Sequence, residues 1–216
     1  MSRGESAAWQ EAYHSDALKR RRETTYARKL RRLGLDAPAP GTRTLDIACG
    51  SGEALQTLAA TGYGDLHGLD LDAPQTTGPE PFRRTLGDGG RLPFAAGAFD
   101  QVLCLHALHH FRSLDHIGEL LAESRRVLKP SGALLLIDHF DSCYLRAIFR
   151  LMQIRCPLYP AAVRHFGDQL RDEREIVAWW LANWRALFGL VDASGLRVER
   201  CTRGLFFFYM RCTPVL

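Results

Sequence analysis

A short apolar run near residue 47 ends in two closely spaced glycines. The stretch LDIACGSGE, from Leu45 to Glu53, places Gly50 and Gly52 directly after residues that are typical of a buried strand. Because glycine has no Cβ, the backbone can turn tightly there and come close to a ligand. A stretch of helix-forming composition follows, so the segment predicts a strand, a tight turn and a helix. In an α/β protein, such a turn is the usual place for a ligand to meet a helix N-terminus.

The residues around this turn narrow the chemistry of its ligand. A dinucleotide-binding turn would have a third glycine where Leu55 stands, and a phosphate-binding loop would have a lysine followed by serine or threonine. Acidic side chains accompany the turn instead, at Asp46, Glu53 and Asp70, and they disfavour a pyrophosphate group. Asp70 ends a second predicted strand about 20 residues after the turn, where an acid typically accepts hydrogen bonds from ribose hydroxyls. A nucleoside without phosphate groups, namely S-adenosylmethionine, fits this pattern better than NAD, although hydride transfer and a cofactor-free role stay open.

The order of apolar runs indicates how the chain positions this turn. Strands and helices alternate over a cofactor-binding core, 43–139, which predicts a parallel sheet with right-handed crossovers and helices on both faces. An aromatic- and arginine-rich insertion with two proline breaks, 140–172, is predicted to be a substrate lid. The remainder, 173–216, is predicted to be a helix and a hairpin that adds one antiparallel strand.

Length and composition are those of an ordinary globular protein. The 216 residues are 46% hydrophobic and 24% charged, which suits a single domain over 1–216 with a substantial core. No apolar run approaches the roughly 18 residues that a membrane-spanning helix needs, and the first residues lack the apolar core of a secretory signal. The six scattered cysteines form no C-x-x-C pair, which favours reduced thiols over disulfides or a zinc site. We therefore expect a cytoplasmic protein without a metal site.

Basic residues are concentrated near the N-terminus. Between Lys19 and Arg32 the chain has eight basic residues and one acidic residue, although its overall formal charge is only +4. A contact with nucleic acid or with an anionic membrane would suit such a segment, but a solvated face of an amphipathic helix is the commoner reason. We predict that residues 1–33 form a helix that covers the cofactor pocket, with its charges in water and without a nucleic-acid partner.

Four stretches, in the right order, resemble the motifs of the class I S-adenosylmethionine-dependent methyltransferases. They are LDIACGSGE, HGLDLD, GDGGRLPFAAGAFDQVLCLHALHHF and ESRRVLKPSGALLLID. The resemblance covers about residues 43–139 and 173–213, and it lies near the small-molecule group that includes the ubiquinone-biosynthesis C-methyltransferases. It implies an α/β fold with a Rossmann-like methyltransferase sheet, S-adenosyl-L-methionine as cofactor, and methyl transfer to a small-molecule acceptor.

The resemblance also implies which residues bind the cofactor. They are Asp46, Ala48, Gly50, Gly52, Asp70, Leu71, Asp88, Gly89, Cys104 and Leu105. Gly50 and Gly52 would let the amino-acid end of the cofactor approach, while the Asp46 side chain orders the turn. Asp70 would accept hydrogen bonds from the ribose hydroxyls, and Leu71 would pack on the adenine.

The remaining implied contacts lie at the adenine and at the methionine portion of the cofactor. Asp88 would accept a hydrogen bond from the adenine amino group, with the backbone of Gly89 beside it. Cys104 and Leu105 would flank the methionine portion. The chain departs from the family pattern in the proline-rich segment 71–87, where we predict that the usual crossover helix is lost and that FRRTL forms a short third strand.

Histidines follow the predicted fourth and fifth strands, where an acceptor would meet the methyl group. Methyl transfer from a sulfonium is an in-line displacement, so the protein must align the acceptor, exclude water and, for some acceptors, remove a proton. Imidazole suits the last task because it titrates near neutral pH. The candidate bases are His106, His109 and His110 after the fourth strand and His139 and Asp141 after the fifth. Of these, His139, His109 and His110 are the predicted catalytic residues.

The predicted acceptor is small, apolar or aromatic, and methylated on oxygen or carbon. No N-P-P-Y or D-P-P-Y stretch, of the kind used to methylate exocyclic or amide nitrogens, follows the fourth strand, and the insertion 140–172 carries aromatic side chains. Two alternatives stay open. One is an RNA or protein methyltransferase that uses the basic segment, and the other is a methyltransferase-like protein with a non-methylating role.

Overall fold

The computed structural model of the chain describes residues 16–73, 79–111, 113–152, 154 and 174–215. Its strands are β1 (Arg43–Ile47), β2 (Asp65–Asp70), β3 (Arg83–Leu86), β4 (Phe99–Leu105), β5 (Leu128–His139), β6 (Leu196–Arg203) and β7 (Phe207–Pro214). Its helices are α1 (Asp16–Arg32), α2 (Glu53–Ala60), α3 (Leu114–Val127), α4 (Cys143–Met152), α5 (Arg174–Asn183) and α6 (Ala186–Ala193), with a short 3-10 turn at Leu108–His110.

The strands form one seven-stranded sheet in the order β3-β2-β1-β4-β5-β7-β6. The central strand β1 pairs in parallel with β2 on one side and with β4 on the other. β3 and β5 extend the parallel part, whereas β7 pairs antiparallel with both β5 and β6. The predicted fold class is therefore confirmed: a mostly parallel sheet with one antiparallel strand from the C-terminal hairpin.

The strand order reverses between β1 and β4. The chain first moves outward from β1 through β2 to β3, and it then returns to the other side of β1 as β4. In open α/β sheets, ligands bind in the crevice outside the carboxyl ends of such a pair of strands. The glycine turn after β1 opens at this crevice.

Helices cover both faces of the sheet, as predicted. Successive strand residues point to opposite faces, so Val102 and Cys104 of β4 belong to one apolar cluster and Leu103 and Leu105 to the other. The first cluster includes side chains of α3, α5 and α6, and the second includes side chains of α1 and α2. None of the described helices has the length and apolar character that crossing a membrane requires.

The segments outside the central strands agree with the sequence predictions to different extents. A short third strand forms where it was predicted, at Arg83–Leu86. The described residues between β2 and β3, 71–73 and 79–82, contain no helix. Helix α1 lies within the predicted N-terminal helix, whose first 15 residues are outside the described part of the chain. The predicted lid begins with α4, and its residues 155–172 are likewise outside the described residues.

The C-terminal helix predicted from the sequence is in fact two helices. α5 ends at Asn183 and α6 begins at Ala186. The amide of Leu187 donates to the carbonyl oxygen of Trp184 at 3.2 Å, and the amide of Phe188 donates to that of Arg185 at 3.3 Å. These bonds span three residues instead of four, so the backbone tightens there and the α-helix is interrupted.

Gly68, in the middle of β2, offers a test of how closely the sheet packs against α2. A Cβ at this position would lie 2.7 Å from Cys49 Sγ and 2.9 Å from Leu55 Cδ1. We expect Gly68→Ala to lower the free energy of unfolding by about 1 to 3 kcal/mol, the usual cost of overpacking. Urea denaturation followed by circular dichroism measures it. Gly64→Ala is the matched control, because a Cβ there meets nothing within 4 Å, and an equal loss in both variants would contradict the packing argument.

Candidate functional site

A cavity of about 590 Å³ opens at the carboxyl ends of β1, β2 and β4. Most residues predicted to bind a cofactor line it, namely Asp46, Ala48, Gly50, Asp70, Leu71, Asp88, Gly89 and Leu105. Among the described residues, five acidic side chains line the cavity and no lysine or arginine does. The cavity therefore suits a ligand that is neutral or cationic and rich in hydrogen-bond donors.

The glycine turn is held by side chains from β2 and β3. Asp70 Oδ2 accepts a hydrogen bond from the amide of Gly50 at 2.7 Å, and Arg84 Nη1 donates to the carbonyl oxygen of Gly50 at 2.8 Å. Arg84 is itself held by Glu80, whose carboxylate accepts from its Nη2 at 2.6 Å. Asp70 and Arg84 thus clamp the turn from both sides of Gly50, and the sequence analysis had named Asp46 alone for this role.

Three residues of the turn have left-handed backbone angles. The φ angles are 56° at Ala48, 52° at Gly50 and 78° at Gly52. Such angles are costly for a residue with a Cβ, so Ala48 is a strained position on the cavity wall. A Cβ on Gly50 would meet nothing within 4 Å, whereas one on Gly52 would lie 2.3 Å from the ring of Phe82. Gly50 therefore keeps space open at the cavity, and Gly52, which does not line it, is required by packing.

Asp46 is a buried acid on the cavity wall. It is only 3% exposed. Burial, reinforced by the nearby Asp70 and opposed by Arg84, raises the pKa of Asp46 to about 8. The carboxyl group is thus protonated at neutral pH, and a bound cation would favour its ionised form.

Asp88 forms the other end of the cavity. Its Oδ1 accepts hydrogen bonds from the Gly90 amide at 2.8 Å and from His116 Nε2 at 2.9 Å. These bonds, that of Gly90 first, hold the pKa of Asp88 below its usual value. Leu71 lies at the open rim and is 68% exposed.

Two of the predicted histidines contact a buried acid and do not line the cavity. The Nδ1 atom of His109 lies 2.8 Å from Oδ1 of Asp138, and the His109 amide donates to Oδ2 at 3.2 Å. The His139 amide donates to Asp138 Oδ1 at 2.6 Å. Burial favours a neutral acid, but the hydrogen bonds and electrostatic interactions of His109 and His139 outweigh it and hold the pKa of Asp138 well below its usual range. Atoms of these three side chains lie within 4.8 Å of one another, and the hydrogen bonding accounts for that proximity.

His106 and His110, in the segment between β4 and α3, line the cavity, as does His116 of α3. His110 was selected as a catalytic residue from the sequence, whereas His106 was named among the candidate bases but not selected. His106 follows directly on the last residue of β4 and has a φ of 58°. Its Nε2 atom lies 2.7 Å from Nζ of Lys29, a residue of α1. The one available signal was its position at the carboxyl end of a central strand.

Lys29 and Cys104 also differ from the sequence predictions. The charges of the N-terminal helix were expected to lie in water, but burial lowers the pKa of Lys29 to about 8, an effect that Glu53 partly opposes. Cys104 is fully buried and does not line the cavity. It lies behind Leu105, on the opposite face of β4, so any effect on a ligand would be indirect.

Comparison with known proteins agrees with this geometry. The sequence profile of a family described as a methyltransferase domain matches residues 45–136. The chain is 29% identical over 174 residues to a Renibacterium salmoninarum protein named demethylmenaquinone methyltransferase, and the alignment covers 72% of each chain. It is 30% identical over 156 residues to the uncharacterized methyltransferase YcgJ of Bacillus subtilis, covering 68% of this chain and 54% of that one.

Among solved structures, the fold is similar to that of a Burkholderia thailandensis enzyme. That protein is 1,6-didemethyltoxoflavin-N1-methyltransferase, crystallised with 1,6-didemethyltoxoflavin and S-adenosylhomocysteine. The TM-score is 0.58 at 16% sequence identity, over 97% of this chain and 84% of that one. An identity this low supports the shared fold alone.

The buried carboxylate of Asp138 can be tested by its contribution to stability. Asp138→Asn should lower the free energy of unfolding by about 3 kcal/mol, because it removes the buried carboxylate that accepts from the amides of His109 and His139 and pairs with His109 Nδ1. Asp141→Asn is the control, since the pair of Asp141 with Arg146 is more exposed and should contribute less than about 1 kcal/mol. Urea denaturation at pH 7 compares the two. A loss of less than 1 kcal/mol in Asp138→Asn would show that the buried pair does not stabilise the sheet edge.

Proposed function

Since the chain belongs to the class I S-adenosylmethionine-dependent methyltransferases, we propose that it transfers a methyl group to a small apolar or aromatic acceptor by O- or C-methylation. The observation that carries this proposal is the cavity at the glycine turn, which is lined by five acidic side chains and, among the described residues, by no lysine or arginine. S-adenosylmethionine, when bound, supplies a methyl group on a positively charged sulfur. A cationic ligand without phosphate groups suits a cavity that is lined by acidic side chains.

The acids around the cavity fit the polar groups of this cofactor. We assign Asp70 to the ribose hydroxyls, because it lines the cavity at the end of β2, where Oδ2 accepts from the Gly50 amide and Oδ1 from the Asp72 amide at 3.1 Å. Asp88 is assigned to the adenine amino group, with the backbone of Gly89 beside it and Leu71 against the ring at the rim. Asp46 is assigned to the amino-acid end, where the positive charges of the ligand would favour its ionised form.

The turn and the end of β4 would hold the methionine portion. Gly50 leaves room for it, since a Cβ there meets nothing within 4 Å. Ala48 and Leu105 line the same stretch of the cavity. We assign Gly52 and Cys104 to packing behind these residues.

Aromatic and imidazole side chains support an apolar or aromatic acceptor. Tyr26 of α1 lines the cavity together with His106, His110 and Phe111. Tyr26 also supports the role of the N-terminal helix as a cover.

Quinone-type acceptors are a specific candidate, because several relatives are named demethylmenaquinone methyltransferases. His110 remains the candidate base among the three histidines that the sequence predicted.

An RNA acceptor is the second candidate, on one observation. Arg28, Lys29, Arg31 and Arg32 line a separate cavity of about 440 Å³ on α1. Phosphate groups would suit such a basic surface, and binding to them would fall steeply with salt.

Reduced cysteines and the small-molecule chemistry favour a cytoplasmic location, which we propose with the function.

The ribose assignment is tested by the affinity for S-adenosylhomocysteine. Asp70→Ala should weaken binding by about 1.5 to 3 kcal/mol, the value of hydrogen bonds to a charged acceptor. Asp70→Asn separates the two tasks of this residue, because an amide oxygen can still accept from the Gly50 amide. Isothermal titration calorimetry measures both, with Asp65→Asn at the opposite end of β2 as control. Unchanged affinity in Asp70→Ala would exclude the ribose role.

The acceptor class is tested by release of S-adenosylhomocysteine from S-adenosylmethionine. We expect turnover with 1,4-dihydroxynaphthalene or with catechol, and none with transfer RNA. Mass spectrometry of the product then separates O- from C-methylation. Turnover with RNA alone would favour the second candidate. Cofactor binding without turnover on any of the three would contradict the proposed function.

A further inference from the structure

We propose that Lys29 and His106 form a proton relay, in which His106 takes the proton of the acceptor hydroxyl and Lys29 receives it. The relay rests on the proposed function, because it needs an acceptor that must lose a proton. His106 would be the catalytic residue, since it lines the cavity. Lys29 would act through His106 and is therefore a positioning and proton-accepting partner.

The position of His106 is fixed by its backbone. The amide of His106 donates to the carbonyl oxygen of Ile137 at 2.6 Å, which ties the end of β4 to β5. Its φ of 58° lies in the left-handed region, which a histidine adopts only at a cost. Backbone strain of this kind tends to persist at functional sites, where surrounding contacts enforce it.

The position of the imidazole ring is fixed by its neighbours. The ring centroids of His106 and Phe207 are 4.6 Å apart with nearly perpendicular planes, and Tyr26 makes a similar contact at 6.5 Å. Nε2 is the atom that lies 2.7 Å from Lys29 Nζ. Nδ1, for which the described residues supply no hydrogen bond, is the nitrogen left for a substrate.

The amine of Lys29 is partly buried against two aromatic rings; the ring faces attract an ammonium group, whereas burial favours the neutral amine. Nζ is 4.7 Å from the ring centroid of Phe207 and 5.3 Å from that of Tyr26. In the described part of the chain, no carboxylate lies within ion-pair distance of it. Burial lowers the pKa of Lys29 to about 8, and Glu53 of α2 is the charged group that raises it. A sizeable fraction of the amine is therefore unprotonated slightly above neutral pH.

The charges around His106 keep it neutral. Burial and the charge of Lys29 lower the pKa of His106 to about 3. Asp138 of β5 acts in the opposite direction, while His139 of the same strand and His109 of the 3-10 turn add to the lowering. Because the pKa of His106 is lower than that of Lys29, a proton that reaches the imidazole passes on to the amine. His106 therefore transfers the proton, and Lys29 is its final acceptor.

The proposed step moves one proton from the acceptor to Lys29 and one methyl group from sulfur to the acceptor. The acceptor hydroxyl gives its proton to Nδ1 of His106, while the proton on Nε2 passes to the neutral amine of Lys29, which becomes an ammonium group. The acceptor oxygen, or a conjugated ring carbon, forms a bond to the methyl carbon as the bond from methyl to sulfur breaks. The electron pair of that bond stays on sulfur and neutralises its charge. In C-methylation the attacked carbon then loses its own proton to water.

The first test measures the amine directly and needs no turnover. The chain has only three lysines, Lys19, Lys29 and Lys129. Protein made with lysine labelled with ¹³C at Cε should therefore give three signals, and Lys29→Met identifies that of Lys29 by its loss. We expect this signal to titrate with a midpoint near pH 8. A midpoint near the usual lysine value of about 10.4 would overturn the relay.

The second test is the pH profile of methyl transfer to 1,4-dihydroxynaphthalene under anaerobic conditions. Because only the neutral amine can receive the proton, kcat/KM of the wild type should fall about tenfold per pH unit below the Lys29 midpoint. Lys29→Met should lower kcat/KM at pH 8.5 by about 100-fold, a typical general-base effect, and should abolish the acidic limb. His106→Asn, which tolerates a positive φ, should lower the rate similarly. Both variants should bind S-adenosylhomocysteine within about threefold of the wild type.

Lys129→Met is the matched control, since Lys129 pairs with Asp100 near the amino end of β5 and lines neither of the two cavities. It should keep both the rate and the pH profile of the wild type. A Lys29→Met enzyme that is slower but retains the acidic limb would show that Lys29 only anchors α1, and the relay would be wrong. An unchanged kcat/KM in Lys29→Met would likewise show that the relay is wrong. Absence of turnover in the wild type would instead contradict the proposed function, and the relay with it.

Discussion

The buried carboxylate of Asp138 holds the edge of the sheet at which the cavity opens. It is fully shielded from solvent, and a charge in such a place is tolerated only when hydrogen bonds satisfy it. The amides of His109 and His139 and the imidazole of His109 meet that requirement. The end of β5 and the 3-10 turn after β4 are therefore fixed relative to each other. His110, the next residue along the chain, is in consequence presented to the cavity.

The second constraint is the electrostatic balance around the glycine turn. Burial and, next to it, the charge of Asp70 raise the pKa of Asp46, and Arg84 offsets only part of this effect. The wall can therefore hold one acid in its protonated form until a cation arrives. Leu55 stands where a dinucleotide-binding turn has a third glycine for close helix–strand packing, and here Gly68 of β2 leaves room for its side chain.

The local part of the site could be predicted from the sequence, and the long-range part could not. A strand, a glycine turn and an acid 20 residues later are signals within one short segment, so Gly50 and Asp70 were found with their neighbours. Lys29 and His106 are 77 residues apart. A lysine within a run of arginines gives no sign that it is half-buried. Asp138 resembles any acid at the end of a strand, and only the coordinates reveal that imidazole and amide groups surround it.

The antiparallel direction of β7 brings its first residue, Phe207, to the carboxyl ends of the parallel strands, where it contacts His106 and His139. Three phenylalanines stand in a row at this point, Phe206 to Phe208. Sliding the strand by one residue would replace one phenyl ring by another, so apolar burial alone does not fix its alignment here. Arg211 fixes it, because a slip would turn its guanidinium from Glu199 toward the core between β7 and α6. The position of the Phe207 ring beside His106 thus depends in part on an arginine four residues away, which does not itself line the cavity.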